Sequence, residues 1–280
     1  MSVTYSGRRL FRLPGESLPD TLTTVTSYGM IFHFTIFFWS VAFFLGMQFV
    51  AAREYDLFWV GYVFSAALLA VLSLVSAKKI TKRLRNSFIP LLLSFSAPAV
   101  LSLVDDAGEK TVFSVLASGM YYVAFLALYR LRFAPKDRTA RSMLSVAMLS
   151  ALFFFYAAAF GFYLNFSVPL STLVFAFAIG SFGAAYQTLS STLHGDKRRV
   201  ALYSSIVAFG VGEISWTISF WPFGYLATGV VSLMSFFILW DMANSLFLGT
   251  ISRKRTLMYL SVFIALIGLL LATSPWRIQV

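Results

Sequence analysis

Apolar residues run along this chain in long blocks, separated by short polar and basic stretches. A block of about 20 mostly apolar residues crosses the hydrocarbon core of a bilayer as a helix. Nine such segments are predicted: 29–52, 57–77, 88–104, 111–129, 142–164, 167–190, 200–221, 224–248 and 256–273. The third is short and holds Pro90 and Pro98, so a kink or a small tilt is expected there. The pattern predicts an all-α fold: one polytopic transmembrane helix bundle of about nine transmembrane helices over 29–273. A polar tail, 1–28, precedes it and an external tail, 274–280, follows.

Charge tests the count. Lysine and arginine concentrate in cytoplasmic loops of membrane proteins. With nine spans, 19 of the 22 basic residues fall on one side, in groups at 8–12, 78–85, 130–141, 197–199 and 253–255. Only Arg53, Lys110 and Arg277 fall on the other. Omitting 88–104 or 111–129 would put the loops 78–85 and 130–141 on opposite sides. The expected orientation is therefore N-in and C-out. Trp59, Trp221 and Trp276 sit at the predicted outer ends, where amphipathic rings favour the interface. In the N-terminal tail, Arg8, Arg9 and Arg12 beside Leu10, Phe11 and Leu13 would suit an anionic leaflet, unless the tail is simply loose. The first apolar run is too long and starts too late for a cleavable signal peptide, and it reads as a signal anchor.

Composition supports the membrane class. Hydrophobic residues make up 59%, charged residues 12%, and the mean hydropathy is +0.80, values that a soluble surface does not tolerate. The net charge of +11 then reflects cytoplasmic loops and anionic lipids at that face rather than nucleic acid. With no cysteine, thiolate metal sites, Fe–S clusters and cysteine nucleophiles are excluded; with only His33 and His194, multi-histidine sites are disfavoured. No cofactor and no metal are expected.

Small residues mark close helix contacts. Ala176, Gly180 and Ala184 recur every fourth residue in the sixth span, and Ala157 and Gly161 repeat the spacing in the fifth. Packing inside the bundle is the favoured reading, with a homo-oligomer seam as the alternative.

Polar residues within spans carry the functional candidates, because an intramembrane carboxylate costs several kcal/mol unless protonated, paired or hydrated. Glu213 is the deepest, about 20 Å from the cytoplasmic end of its predicted span. Gly210 and Gly212 precede it, and Trp216 and Thr217 follow at one turn. It is a candidate proton or cation site; a neutral acid hydrogen-bonded to a neighbour is the alternative. Asp241, with Asn244 and Ser245 on its face, forms a second candidate nearer the cytoplasmic end, near His33 and Gln187 in depth. It would serve as a gate or head-group site, or else snorkel towards loop basic residues. Tyr121 and Tyr122 are expected to hydrogen-bond between helices.

Enzyme motifs are sparse. No span holds the lysine a retinal protein needs. Ser181 lies between Gly180 and Gly183, but neither histidine is placed to act with it. A pair of intramembrane aspartates is missing. The run Asp105-Asp106-Ala107-Gly108-Glu109 resembles a Mg²⁺-diphosphate motif, yet it is single and external, so a polar turn is the simpler reading.

The stretch Glu213-Ile214-Ser215-Trp216 through Trp221-Pro222-Phe223-Gly224, then an arginine-rich loop and one last span, resembles uncharacterised multi-spanning proteins of candidate-phylum bacteria, over about 200–275. The resemblance implies a bacterial cytoplasmic-membrane protein and brings no catalytic residue. Three functions follow as expectations: a small transporter or permease-like protein using Glu213; a lipid-handling enzyme or flippase-like protein using the basic loops; or a non-catalytic subunit with a membrane-protein partner.

Overall fold

A computed structural model describes residues 21–52, 58–81, 87–192, 197–221, 223–249 and 252–273. These contain nine helices and no strand: α1 (Thr21–Ala51), α2 (Phe58–Thr81), α3 (Phe88–Leu101), α4 (Ala107–Phe133), α5 (Arg138–Asn165), α6 (Leu170–Thr192), α7 (Lys197–Ile218), α8 (Tyr225–Phe247) and α9 (Arg253–Thr273). The expectations for Arg8, Arg9, Arg12, His194 and the 274–280 tail lie outside the described residues, as do the side chain of Trp59 and all of Trp276. The chain divides into two compact units, Met1–Thr35 and Ile36–Val280. Of the first, the described part is the opening of α1, where His33 is exposed. The second unit holds α1 from Ile36 onward and all of α2 to α9.

Seven helices are long and apolar enough to cross a membrane: the stretch of α1 from His33, the stretch of α2 from Val63, and α4 to α8. Two are shorter. α3 has 14 residues, so it is about 21 Å long against a hydrocarbon core of about 30 Å. The described apolar stretch of α9 is Thr256–Leu269. Most of α3 is buried, and it packs against α2, α4, α5 and α6. Past Leu101 the helix tightens: the Leu103 and Val104 N–H groups donate to the Val100 and Leu101 carbonyls, three residues back, so the α-helix ends before 104.

Several helices outrun their apolar segments, because backbone hydrogen bonding continues to the first good cap. Asp106 accepts from the Glu109 N–H at 2.9 Å and starts α4 four residues before its predicted span. The Asp105–Glu109 run is thus the start of a helix. Asp137 accepts from the Thr139 and Ala140 N–H groups at 2.9 and 3.3 Å and starts α5 at Arg138. Such caps satisfy donors that the helix itself leaves open.

α5 is the hub, packed against α3, α4, α6 and α8. Gly229 of α8 lies against the backbone of Ala157 on α5; a Cβ there would come within 3.1 Å of the Ala157 nitrogen. On α6, Gly180 faces the Phe155 ring and Ala184 is fully buried, whereas Ala176 is half-buried. Tyr156 stacks on Phe177 at 4.4 Å between centroids, and its hydroxyl pairs with Ser181 at 2.6 Å, joining α5 to α6. Tyr121 joins α4 to α2 through Ser73 at 3.0 Å, and Ser73 also pairs with Ser94 of α3. Phe43 of α1 stacks on the Tyr121 ring at 4.3 Å. These buried hydroxyls bond to one another or to carbonyls one turn back, which the low dielectric of the interior demands.

Candidate functional site

Basic residues close the C-termini of α2 and α4 and open α5, α7 and α9, and contacts of Arg132 with Ile80 and of Arg130 with Asp137 bring the ends of α2, α4 and α5 together. Their charges are partly organised. The Arg132 Nη1 donates to the Ile80 carbonyl at 2.7 Å, closing the C-terminus of α2. The Lys79 Nζ sits 5.4 Å from the centre of the Trp39 ring. Arg130 pairs with Asp137 at 2.8 Å, so that carboxylate serves both an arginine and the α5 N-terminus.

At this end a cavity of about 190 Å³ opens between α5, α6 and α8. Arg141, Ser142 and Ser145 of α5, Thr188 of α6, and Trp240 and Asn244 of α8 supply its polar lining, with Leu144 as an apolar wall. Ser142, at its rim, is exposed. Most of these groups are already anchored. The Ser142 and Ser145 hydroxyls each donate to the carbonyl one turn back, at 3.1 Å. The Trp240 indole donates to the Thr188 Oγ1 at 3.1 Å, tying α8 to α6. The Arg141 Nη2 donates to the Pro135 carbonyl at 2.8 Å, which fixes the guanidinium against the α4–α5 loop.

Two atoms are left over. Among the described residues, four buried side-chain polar atoms lack a partner, and two of them belong to residues lining this one cavity: the Arg141 Nε and the Asn244 Oδ1. A buried unpaired group costs about 1–3 kcal/mol, more when charged, so the two residues that carry such groups mark this cavity as the candidate site. Its size limits what it can hold. The cavity equals about six water volumes and falls short of the roughly 300 Å³ of a small-molecule pocket. It suits a phosphate-sized group. Arg141 offers a donor to its oxygens, and the Asn244 amide accepts from a hydroxyl or, turned over, donates.

The residues singled out from sequence fall in different places. Asn244 lines the cavity. Asp241 is buried on α8 and does not line it. Gln187 is buried and accepts from the Ile89 N–H at 2.9 Å, capping the start of α3. Glu213 is exposed on the outer face of α7, with Trp216 and Thr217 beside it. Gly212 packs on Val174 and Ala178 of α6, and Gly210 on Leu239 of α8, so neither glycine opens a space beside the carboxylate. α7 ends at Ile218, so Glu213 lies about 8 Å from the end opposite the basic loops. Arg141, Trp240 and Thr188 escaped notice in the sequence. Arg141 counted only as one loop charge among five, and nothing in a linear pattern shows which of these cations lines a cavity.

This fold defines an all-α, multi-pass membrane protein. A family model described as "Protein of unknown function (DUF5656)" matches residues 38–273, and the chain belongs to that family. The match extends over most of the chain, well beyond the 200–275 stretch that carried the resemblance in the sequence. No curated protein and no solved structure matches it.

Proposed function

We propose that this is a lipid-handling protein of the bacterial cytoplasmic membrane, N-in and C-out, that seats the phosphate of an anionic head group at its cytoplasmic end. The observation that carries this reading is a cavity lined by Arg141 and Asn244, each of which holds a buried polar atom without a partner, the Arg141 Nε and the Asn244 Oδ1. Its surroundings support it. The basic helix ends draw anionic lipid, each such charge contributing about 1 kcal/mol near the surface. The cavity has room for a head group and none for acyl chains, which would stay in the bilayer. Transport coupled to Glu213 stands behind this reading, because that carboxylate faces away from the bundle rather than into a passage.

Native mass spectrometry of the purified protein with phosphatidylglycerol, phosphatidylcholine and inorganic phosphate tests it. Phosphatidylglycerol should be retained in preference to phosphatidylcholine. Arg141→Gln should weaken that retention roughly tenfold to a hundredfold, the equivalent of a charge-assisted hydrogen bond of about 1.5–3 kcal/mol. Retention of phosphate alone, with no lipid preference, would transfer the site to a soluble anion. Equal lipid retention by wild type and a well-folded Arg141→Gln variant would remove the site altogether.

A further inference from the structure

The residues that line the cavity between α5, α6 and α8 are short of donors. Each of their hydroxyls has its one proton committed to a main-chain carbonyl. Ser142 donates to Arg138 and Ser145 to Arg141, both at 3.1 Å. Thr188 donates to Ala184 at 2.8 Å, and its oxygen accepts from the Trp240 indole at 3.1 Å. A hydroxyl has one proton and two lone pairs, so Ser142 and Ser145 still accept after donating. The buried Asn244 Oδ1, without a partner, adds another acceptor.

Donors come from Arg141 and from the Asn244 amide nitrogen. The guanidinium carries only donors; its Nη2 is held by the Pro135 carbonyl and its Nε has no partner. Whichever way the asparagine amide is turned, it presents an acceptor as well as a donor. An ionised phosphate brings acceptors alone. It answers Arg141 and leaves the serine and asparagine oxygens without donors. A head group that carries hydroxyls beyond its phosphate answers both sets. An ammonium would donate too, but in about 190 Å³ it would sit close to the guanidinium, and like charges repel. A choline has no N–H or O–H to offer.

We infer that this site selects a short polyol head group, such as glycerol, whose phosphate meets Arg141 and whose hydroxyls donate to Asn244 and Ser145. The inference rests on the head-group reading above and adds the chemistry beyond the phosphate. Arg141 and Ser145 lie one turn apart on α5, and Asn244 comes from α8, so the phosphate and the hydroxyls are read from two helices. Asn244 is the selecting residue. The serine oxygens already bond to their own helix, whereas the Asn244 Oδ1 is buried with no bond to the chain, and a site built around such an acceptor discriminates against a ligand that lacks the donor. A volume of about six waters suits a short chain better than a sugar ring.

Native mass spectrometry of the full chain compares phosphatidylglycerol with phosphatidylethanol, an anionic phosphodiester with no head-group hydroxyl. Wild type should retain phosphatidylglycerol about three- to tenfold better, the range of one neutral hydrogen bond. Asn244→Leu, close in volume, should bring that ratio to about one, while Arg141→Gln should lower the retention of both lipids. Ser145→Ala should reduce the ratio in the same direction, and it serves where Asn244→Leu fails to fold. Equal retention of the two lipids by wild type, both still dependent on Arg141, would overturn the polyol preference and leave the head-group reading standing. Phosphatidylethanolamine held as well as phosphatidylglycerol would do the same, and so would a ratio unchanged in both the Asn244 and the Ser145 variant. Retention of neither anionic lipid above phosphatidylcholine, nor of soluble glycerol 3-phosphate, would overturn reading and inference together. Glycerol 3-phosphate retained alone would uphold the polyol preference and overturn the membrane as its source.

Discussion

Gly229 shows how much one missing methyl group decides. Its α-carbon lets α8 lie against the backbone of Ala157, with 3.1–3.2 Å left for any added carbon. Backbone cannot yield as a flexible side chain can. Gly229→Val should therefore cost about 1–3 kcal/mol, the usual range for overpacking. It should lower the thermal midpoint in detergent and broaden the size-exclusion peak. Val115→Ala, on the exposed face of α4, should do neither. The repeat of Ala176, Gly180 and Ala184 was visible in the sequence, but Gly229 has no such repeat to flag it. It takes its role from what α5 places opposite. The same holds for charge. Glu213 was conspicuous as a carboxylate among apolar residues, yet helical spacing says nothing of which side faces the bundle. Arg141 was one of many loop cations until the packing of α5, α6 and α8 left a cavity that it lines.

At the scale of elements, hydropathy and hydrogen bonding mark different boundaries. Hydropathy reports where the chain leaves the apolar phase, and caps report where the helix stops. Asp137 illustrates the second, since it caps α5 and also pairs with Arg130. Asp137→Ala should lose the cap and lower stability by about 1 kcal/mol. Asp137→Asn keeps a capping oxygen and loses only a partly exposed ion pair, with side chains 42% and 18% exposed, so its effect should be smaller. Thermal midpoints should rank wild type, then Asn, then Ala; an Asn variant as unstable as Ala would assign the stability to the ion pair instead. α3 makes the complementary point. Its two prolines and modest length were legible, but its burial among four helices was not, because a short apolar run reads alike whether it meets lipid or protein.

For the whole molecule, the charge asymmetry predicts the orientation. A reporter fused after Gly249, on the basic side, and another replacing the tail after Thr273 should report opposite compartments. The basic-side fusion should be cytoplasmic. Both fusions in one compartment would mean that α9 does not cross. Membrane class, helical content and the grouping of basic ends were determined by the sequence alone. They depend on summed transfer energies and backbone hydrogen bonding, which are local and additive along the chain. The cavity at Arg141, the close approach at Gly229 and the outward turn of Glu213 were decided only by tertiary structure. Each depends on the rotation of a helix about its own axis relative to its neighbours. In an all-round apolar helix, periodicity barely records that rotation, and packing against other helices sets it.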